Sequence, residues 1–302
     1  MDRGCGMGTW RDRRTYDAAA SAVAGTLADA VEVVIPQPCA VCASGRGPVC
    51  RVCRALVHRW SAYPVNVAPV LPHWPSDRIC IASGPYRHEF ARLILAFKNG
   101  GRLDTAPVLG RALGRGLAAL LRDVEGQEMQ PSRSRAGHAP VIIPVPSSAR
   151  AFRRRGFVPS EVLARRATAP RSGLGAVPRN ARLQVAPVLM ARRRPMRSVL
   201  DSRVRRAVGQ KGLNARQRSA RAASSMTIGM PGLAGVMGLR PDLDNRPCIL
   251  VDDVATTGST LRESVRAVED AGGRVVGAAV LASVRLPGKN CSMFSESHPT
   301  DG

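Results

Sequence analysis

Lysine is almost missing from this 302-residue chain, occurring only as Lys98, Lys211 and Lys289, so arginine carries nearly all of the +23 net charge. That bias also fits a GC-rich genome, which raises Arg, Ala and Gly together. Aromatic residues are scarce as well, at 4%, and scattered. Single-strand binders stack successive bases on aromatic platforms, and little here could build one. The charge permits binding to polyanions, nucleic acid included, without demonstrating it. No apolar run is long enough to span a bilayer. The N-terminus alternates Asp and Arg before an Ala-rich stretch, without the apolar core of a signal peptide. The expected compartment is therefore the cytoplasm. The length allows a real core, with one main domain and an appendage, and no internal repeat is visible.

What is present centres on residues 248–260, Cys-Ile-Leu-Val-Asp-Asp-Val-Ala-Thr-Thr-Gly-Ser-Thr. The apolar run Cys248 to Val251 reads as a buried strand, and ligands of open α/β sheets sit beyond the carboxyl ends of strands. Asp252 and Asp253 follow; carboxylates accept hydrogen bonds from ribose hydroxyls, directly or through a metal ion, and they repel phosphate. The small residues Ala255-Thr256-Thr257-Gly258-Ser259 let N–H groups and hydroxyls close around a phosphate at a helix N-terminus. No Lys follows the glycine, which excludes a P-loop. The bland alternative is a strand–turn–helix whose acidic pair is merely solvated.

Four of the eight cysteines are organised. Cys39-x-x-Cys42 and Cys50-x-x-Cys53 form two pairs, each able to place two sulfurs on one side of a tight turn, and together they complete a tetrahedral zinc site. The segment is poor in bulky apolar residues, so metal would supply much of its folding energy. Four protein sulfurs leave no open coordination position, which makes the zinc structural. Two disulfides are the alternative, disfavoured in a cytoplasmic protein. His58 lies close in sequence but is not needed as a ligand.

Along the chain, residues 1–16 read as a disordered lead and Asp17 to Ile35 as a short amphipathic helix. The Pro-rich passage Tyr63 to Pro75 reads as a linker. A strand is expected near Ile79–Tyr86, then a helix from Glu89 to Phe97 with Phe90, Leu93, Ile94 and Phe97 on one face, ended by Gly100-Gly101. A second helix is expected over Ala106 to Leu121, and residues 122–139 look like a mobile insertion. The run 141–146 is a strand, Ser147–Arg150 a loop, and a helix starts near Ser160. Leu183–Met190 reads as a strand, 192–221 as a polar basic stretch, and 226–238 as partly strand. A helix over about 259–271 packs Leu261, Val265 and Val268 on the sheet, a Gly272-Gly273 turn follows, and Val275–Leu281 is the last strand. Alternating strands and helices predict an α/β domain with a mainly parallel sheet. Right-handed crossovers then bring loop 147–155 toward loop 252–260.

The 248–260 stretch resembles the ribose-phosphate motif of phosphoribosyltransferases, which use phosphoribosyl pyrophosphate (PRPP). The resemblance implies that Val254, Ala255, Thr256, Thr257, Gly258, Ser259 and Thr260, with Ser147 and Ser148, bind PRPP or another ribose 5-phosphate ligand. Cleavage at the anomeric carbon develops positive charge on the sugar and negative charge on pyrophosphate. Asp252 and Asp253 would hold the ribose, while Arg150 and Mg²⁺ would face the pyrophosphate. Arg153 to Arg155 read equally well as a solvated basic turn.

The order of motifs resembles the ComF family in particular. It runs from Cys39–Cys53 through Phe97-Lys98, Pro144-Val145-Pro146 with Arg150, Arg154, Arg155-Gly156-Phe157, and Gln210-x-x-Leu213 with Arg218, to Val251–Thr260. This implies a type I phosphoribosyltransferase-like parallel sheet flanked by helices, preceded by a small zinc-ribbon-like module. The expected division is 1–35 tail and short helix, 36–60 zinc module, 76–285 phosphoribosyltransferase-like domain and 286–302 disordered tail. It further implies that Gln210, Lys211 and Arg218 belong to a loop closing over PRPP, and it connects the chain to competence and DNA-uptake machinery. Two positions depart from the family pattern: Val158-Pro159 stands where Asn follows Arg-Gly-Phe, and Arg221 replaces an Asn three residues after Arg218. They leave open an alternative, a non-catalytic PRPP-sensing or DNA-processing accessory protein that uses the zinc module for partner or nucleic-acid contact.

Overall fold

The computed structural model describes residues 37–128, 140–169, 183–191, 226–229 and 241–287. In chain order the strands are β1 (Val65–Asn66), β2 (Ile79–Pro85), β3 (Val141–Pro144), β4 (Gln184–Val185), β5 (Leu189–Ala191), β6 (Met226–Ile228), β7 (Pro247–Ala255) and β8 (Arg274–Ser283). The helices are α1 (Arg51–Trp60), α2 (His88–Gly100), α3 (Ala106–Glu128), α4 (Ala149–Arg155), α5 (Pro159–Ala167) and α6 (Ser259–Glu269). Six strands form one sheet in the order β1-β2-β8-β7-β3-β4, parallel except at the β1–β2 edge. This is the expected α/β architecture, a mostly parallel sheet flanked by helices, with the four cysteines clustered on its N-terminal side.

Apolar side chains alternate between the two faces of the sheet. Ile249 and Val251 of β7 pack with Phe90, Leu93 and Phe97 of α2, Leu109, Leu113 and Leu117 of α3, and Leu163 of α5. Cys248 and Leu250 pack with Leu261, Val265 and Val268 of α6 on the opposite face. Right-handed crossovers account for this division. The chain moves one way across the sheet from β2 to β3 and on to β4, and returns the other way from β7 to β8. The connection leaving β3 and the connection leaving β7 thus diverge onto opposite faces, although the two strands are neighbours. A crevice at such a switch point is where open α/β sheets hold ligands.

The predicted helix face at Phe90, Leu93, Ile94 and Phe97 is fully buried, and Gly101 ends α2 in the left-handed region at φ +67°. Several expectations need correction. α3 runs past Leu121 to Glu128, into the stretch read as an insertion. The helix α4 replaces most of the loop expected after β3, because Ser148 caps it by accepting from the Ala151 N–H at 3.3 Å. The single strand read over Leu183–Met190 divides into β4 in the main sheet and β5, which pairs with β6 in a separate ribbon. Tyr63 to Pro75 is no linker: β1 pairs with β2, and Val67, Leu71 and Trp74 are buried.

The cysteine segment shares a core with the sheet's α2–α3 face. Cys39, Cys53 and Val57 join the cluster that holds Phe90 and Phe97. The Trp60 indole donates to Glu89 at 2.9 Å and stacks on His88. Arg115 of α3 donates to the carbonyl and hydroxyl of Ser61, the C-cap of α1, placing a cation where the helix dipole favours one. The expected helix over 17–35, the basic stretch 192–221 and the chain from 288 onward lie outside the described residues.

Candidate ribose-phosphate site

β7 is longer than its apolar run: it continues through the acidic pair to Ala255, with Asp252 opposite Val280 of β8 and Ala255 opposite Ser283. Because successive strand residues point to opposite faces, the two carboxylates have different surroundings. Asp253 lies on the α2 face, buried, and its oxygens accept from Lys98 Nζ at 2.8 and 2.7 Å. Asp252 lies on the α6 face, half-buried, and accepts from the Asp253 N–H at 2.8 Å. Burial, and then the adjacent Asp253 charge, push the Asp252 carboxyl up to about 8, against the pull of the Asp253 N–H and Lys98. This direction favours the protonated carboxyl at neutral pH, and a cation placed beside it would favour the charged form instead.

The loop after β7 is built to turn tightly. Gly258 has φ +80°, a conformation glycine adopts without a Cβ penalty, and forms the N-cap of α6. Gly258 has no side chain to cap this helix start; the Ser259 N–H donates to Thr257 Oγ1 at 3.5 Å, and the N–H groups that follow it in the first turn are the ones an anion would meet. Thr257 and Ser259 hydroxyls hydrogen-bond each other at 2.9 Å, and both stand at the rim. Val254 is half-buried and Ala255 buried, while Thr256 and Thr260 are exposed. From behind, the His73 N–H donates to the Thr257 carbonyl at 3.0 Å.

The neighbouring loop begins beside this one, since Pro144 pairs with Val251 and the Val145 N–H donates to the Val251 carbonyl at 2.8 Å. Ser147 is half-buried; Ser148 and Arg150 are exposed at the start of α4. Arg153 and Arg154 are exposed, whereas Arg155 turns inward and keeps Nε and Nη1 buried. Gln210, Lys211 and Arg218 lie outside the described residues. Lys98 was not singled out by sequence as a site residue. Its sequence signals are its place in a Phe-Lys-Asn-Gly helix end and in the Phe97-Lys98 motif of the ComF-like order, and neither discloses a partner 155 residues away.

The four cysteines come together. Their sulfurs all lie within 4.8 Å of one another, with Cys42 Sγ and Cys50 Sγ 3.8 Å apart. Zinc–sulfur bonds of about 2.3 Å in a tetrahedron require sulfurs about 3.8 Å apart, and a disulfide would need about 2.05 Å. The residues therefore fit a metal ion. The first pair sits on a turn closed by Cys39 N–H to Gly45 carbonyl at 2.8 Å. The second sits at the N-terminus of α1, with Cys50 as N-cap, instead of on a second turn. Backbone N–H groups of Ser44 and Gly45 hold the Cys42 thiol down to about 6. Burial works to raise Cys39, but N–H groups of Cys42, Cys50 and Val41 outweigh it; burial and the neighbouring sulfurs push Cys53 up. A cation at the centre would draw all four to thiolates. His58 is exposed and outside the cluster.

Residues 119–292 match the family model of the phosphoribosyl transferase domain. The chain is 41% identical over 44 residues to the transcriptional regulator GfcR of Methanocella arvoryzae, covering 15% of this chain and 21% of that protein. It is 46% identical over 55 residues to the adenine phosphoribosyltransferase of Rhodococcus jostii, covering 18% of this chain and 29% of that protein. The matches thus span under a third of either relative's length. Among the described residues, no helix is long and apolar enough to cross a membrane.

Proposed function

Because the chain belongs to the phosphoribosyl transferase domain family, we propose that it binds PRPP and transfers ribose 5-phosphate to a nucleophilic acceptor. The observation that carries this reading is the meeting, at the end of β7, of the helix start at Gly258 with the Asp252–Asp253 pair. The 5′-phosphate would take the open N–H groups and hydroxyls of residues 255–260, and the ribose hydroxyls would donate to Asp252 and Asp253. The anomeric carbon–oxygen bond breaks, pyrophosphate leaves with the electron pair, and the acceptor forms the new bond while losing a proton. Water exclusion around the acidic pair strengthens its hold on the positive charge that develops on the sugar.

Asp252 suits a divalent cation, being a half-buried carboxylate with no cationic side chain bonded to it among the described residues. Mg²⁺ bound there would neutralise charge on pyrophosphate, and Arg150 with Ser147 and Ser148 would face the same group. Zinc would be held by Cys39, Cys42, Cys50 and Cys53 as a structural ion. The motif order supports placement with the ComF proteins, a cytoplasmic setting and a connection to DNA-uptake machinery, with Gln210, Lys211 and Arg218 in the closing loop.

Isothermal titration of zinc-loaded protein with PRPP and Mg²⁺ tests binding, and no heat at millimolar ligand overturns the reading. A second reading is favoured by the relative described as a transcriptional regulator and by Val158-Pro159 and Arg221 at positions the ComF pattern gives to Asn. In it, PRPP is a signal and not a substrate. Pyrophosphate release against a panel of nucleobases and amines separates the two: release supports the transferase, and binding without release supports the sensor.

A further inference from the structure

Residues 66–78 run as a strap from the edge of the sheet along α6. At its start, the Asn66 side-chain carbonyl accepts from the N–H groups of Ala68 (3.0 Å) and Cys80 (3.3 Å), and the Val67 N–H donates to the Cys80 carbonyl at 2.7 Å. The turn that follows is held by Leu71 N–H to Ala68 carbonyl at 3.2 Å and Trp74 N–H to Leu71 carbonyl at 3.1 Å. At its end, Arg78 forms an ion pair with Glu269, in the last turn of α6, at 2.8 Å. The Trp74 indole is 5% exposed and donates to the Arg78 carbonyl at 2.8 Å, which closes the strap on itself.

The middle of this strap touches the phosphate loop. The His73 N–H donates to the Thr257 carbonyl, and a Cβ on Gly258 would meet the Trp74 N, Trp74 Cβ and Leu71 Cβ at 3.1, 3.2 and 3.3 Å. The strap therefore packs against Gly258 at the point where the loop must turn. Residues 66–78 also lie entirely outside the matched segment 119–292.

We propose that the strap is part of the 5′-phosphate site, with His73 and Trp74 as positioning residues that hold the 255–259 loop in its anion-binding shape. A loop fixed before the ligand arrives loses little conformational freedom on binding, so slackening the strap weakens phosphate affinity. The indole acts as the pin, since its bond to the Arg78 carbonyl reinforces the longer Arg78 N–H to Pro75 carbonyl bond at 3.3 Å that closes this end of the strap. The inference rests on the reading of the loop as a ribose-phosphate site.

The test uses the full zinc-loaded chain with ribose 5-phosphate and with PRPP. Affinity should fall about tenfold in Trp74→Ala, equal to about 1.4 kcal/mol, and recover only in part in Trp74→Phe, which restores the bulk against Gly258 but not the N–H to the Arg78 carbonyl. In the wild-type protein, ribose 5-phosphate should slow hydrogen exchange in the peptide spanning 70–78 as well as in 252–260. That second measurement needs no variant to fold. Unchanged affinity in Trp74→Ala, or protection confined to 252–260, overturns the role of the strap while leaving the site itself standing. Absence of any wild-type binding takes down the site and the strap together.

Discussion

Asp252 and Asp253 are adjacent in sequence yet belong to two differently built faces of the sheet. Asp253 faces α2, is paired with Lys98, and stands on a core that reaches back through Phe97 and Phe90 to Cys53. Asp252 faces α6, has no cationic side chain bonded to it among the described residues, and holds its proton up to about 8. One carboxylate is fixed by a counter-ion and a metal-ready module, while the other is left to respond to what binds. A single dipeptide thus supplies a rigid acceptor and a titrating one, because a strand turns consecutive side chains to opposite sides.

Stripping the metal with a chelator should act on the Asp253 face and have the largest effect. Structural zinc contributes on the order of 10 kcal/mol in small modules, so order in 39–60 and in α2 should be lost first. The check is hydrogen exchange before and after chelation; equal loosening of α2 and α6 would break the comparison. Next, Asp252→Asn with Asp253→Asn should lower PRPP affinity by roughly 100-fold, since two charge-assisted hydrogen bonds at about 1.5–3 kcal/mol each are weakened. Calorimetry reads this, with melting curves to confirm the fold.

Lys98→Met leaves Asp253 buried without its partner. Because the Lys98 side chain is 32% exposed, water screens part of the pair, and a cost of about 1–2 kcal/mol is expected in chemical denaturation. The last effect is pH-dependent and belongs to Asp252. Its folded carboxyl titrates at about 8 instead of 3.8, so the folded state holds this proton more tightly than the unfolded chain. The resulting stability is fully present below about pH 4 and disappears as pH rises through about 8. Ribose-phosphate binding runs the opposite way, strengthening by up to about tenfold per unit until pH 8 and then levelling. Asp252→Asn should flatten both profiles, and a profile unchanged in that variant would place the titrating group elsewhere.

Much of this was legible in the chain because local rules decide it. The helix face at Phe90, Leu93, Ile94 and Phe97, the Gly101 stop, and α6 with Leu261, Val265 and Val268 follow from period and caps. Other parts are decided by distant neighbours. β7 outruns its apolar stretch because β8 pairs with the acidic residues regardless of their polarity. The strap reads as a linker because four prolines between 64 and 75 obscure the spaced Val67, Leu71 and Trp74 that the α6 face buries. The Arg-rich turn after β3 hides a helix, since its polar residues carry no apolar period and Ser148 alone announces the start. The Lys98–Asp253 pair leaves no local mark at all.

The sheet order has a consequence for how the chain is assembled. β8 is the last described strand to be synthesised, yet it fills the gap between β2 and β7 at the middle of the sheet. Until it arrives, β2 and β7 each present a hydrophobic parallel edge with unpaired N–H and C=O groups, the kind of surface that recruits other chains. A ribosome that stalls before Arg274 would release a product in which the acidic pair is made but unsupported. The expected fate of that product is aggregation or degradation, not a partly active protein.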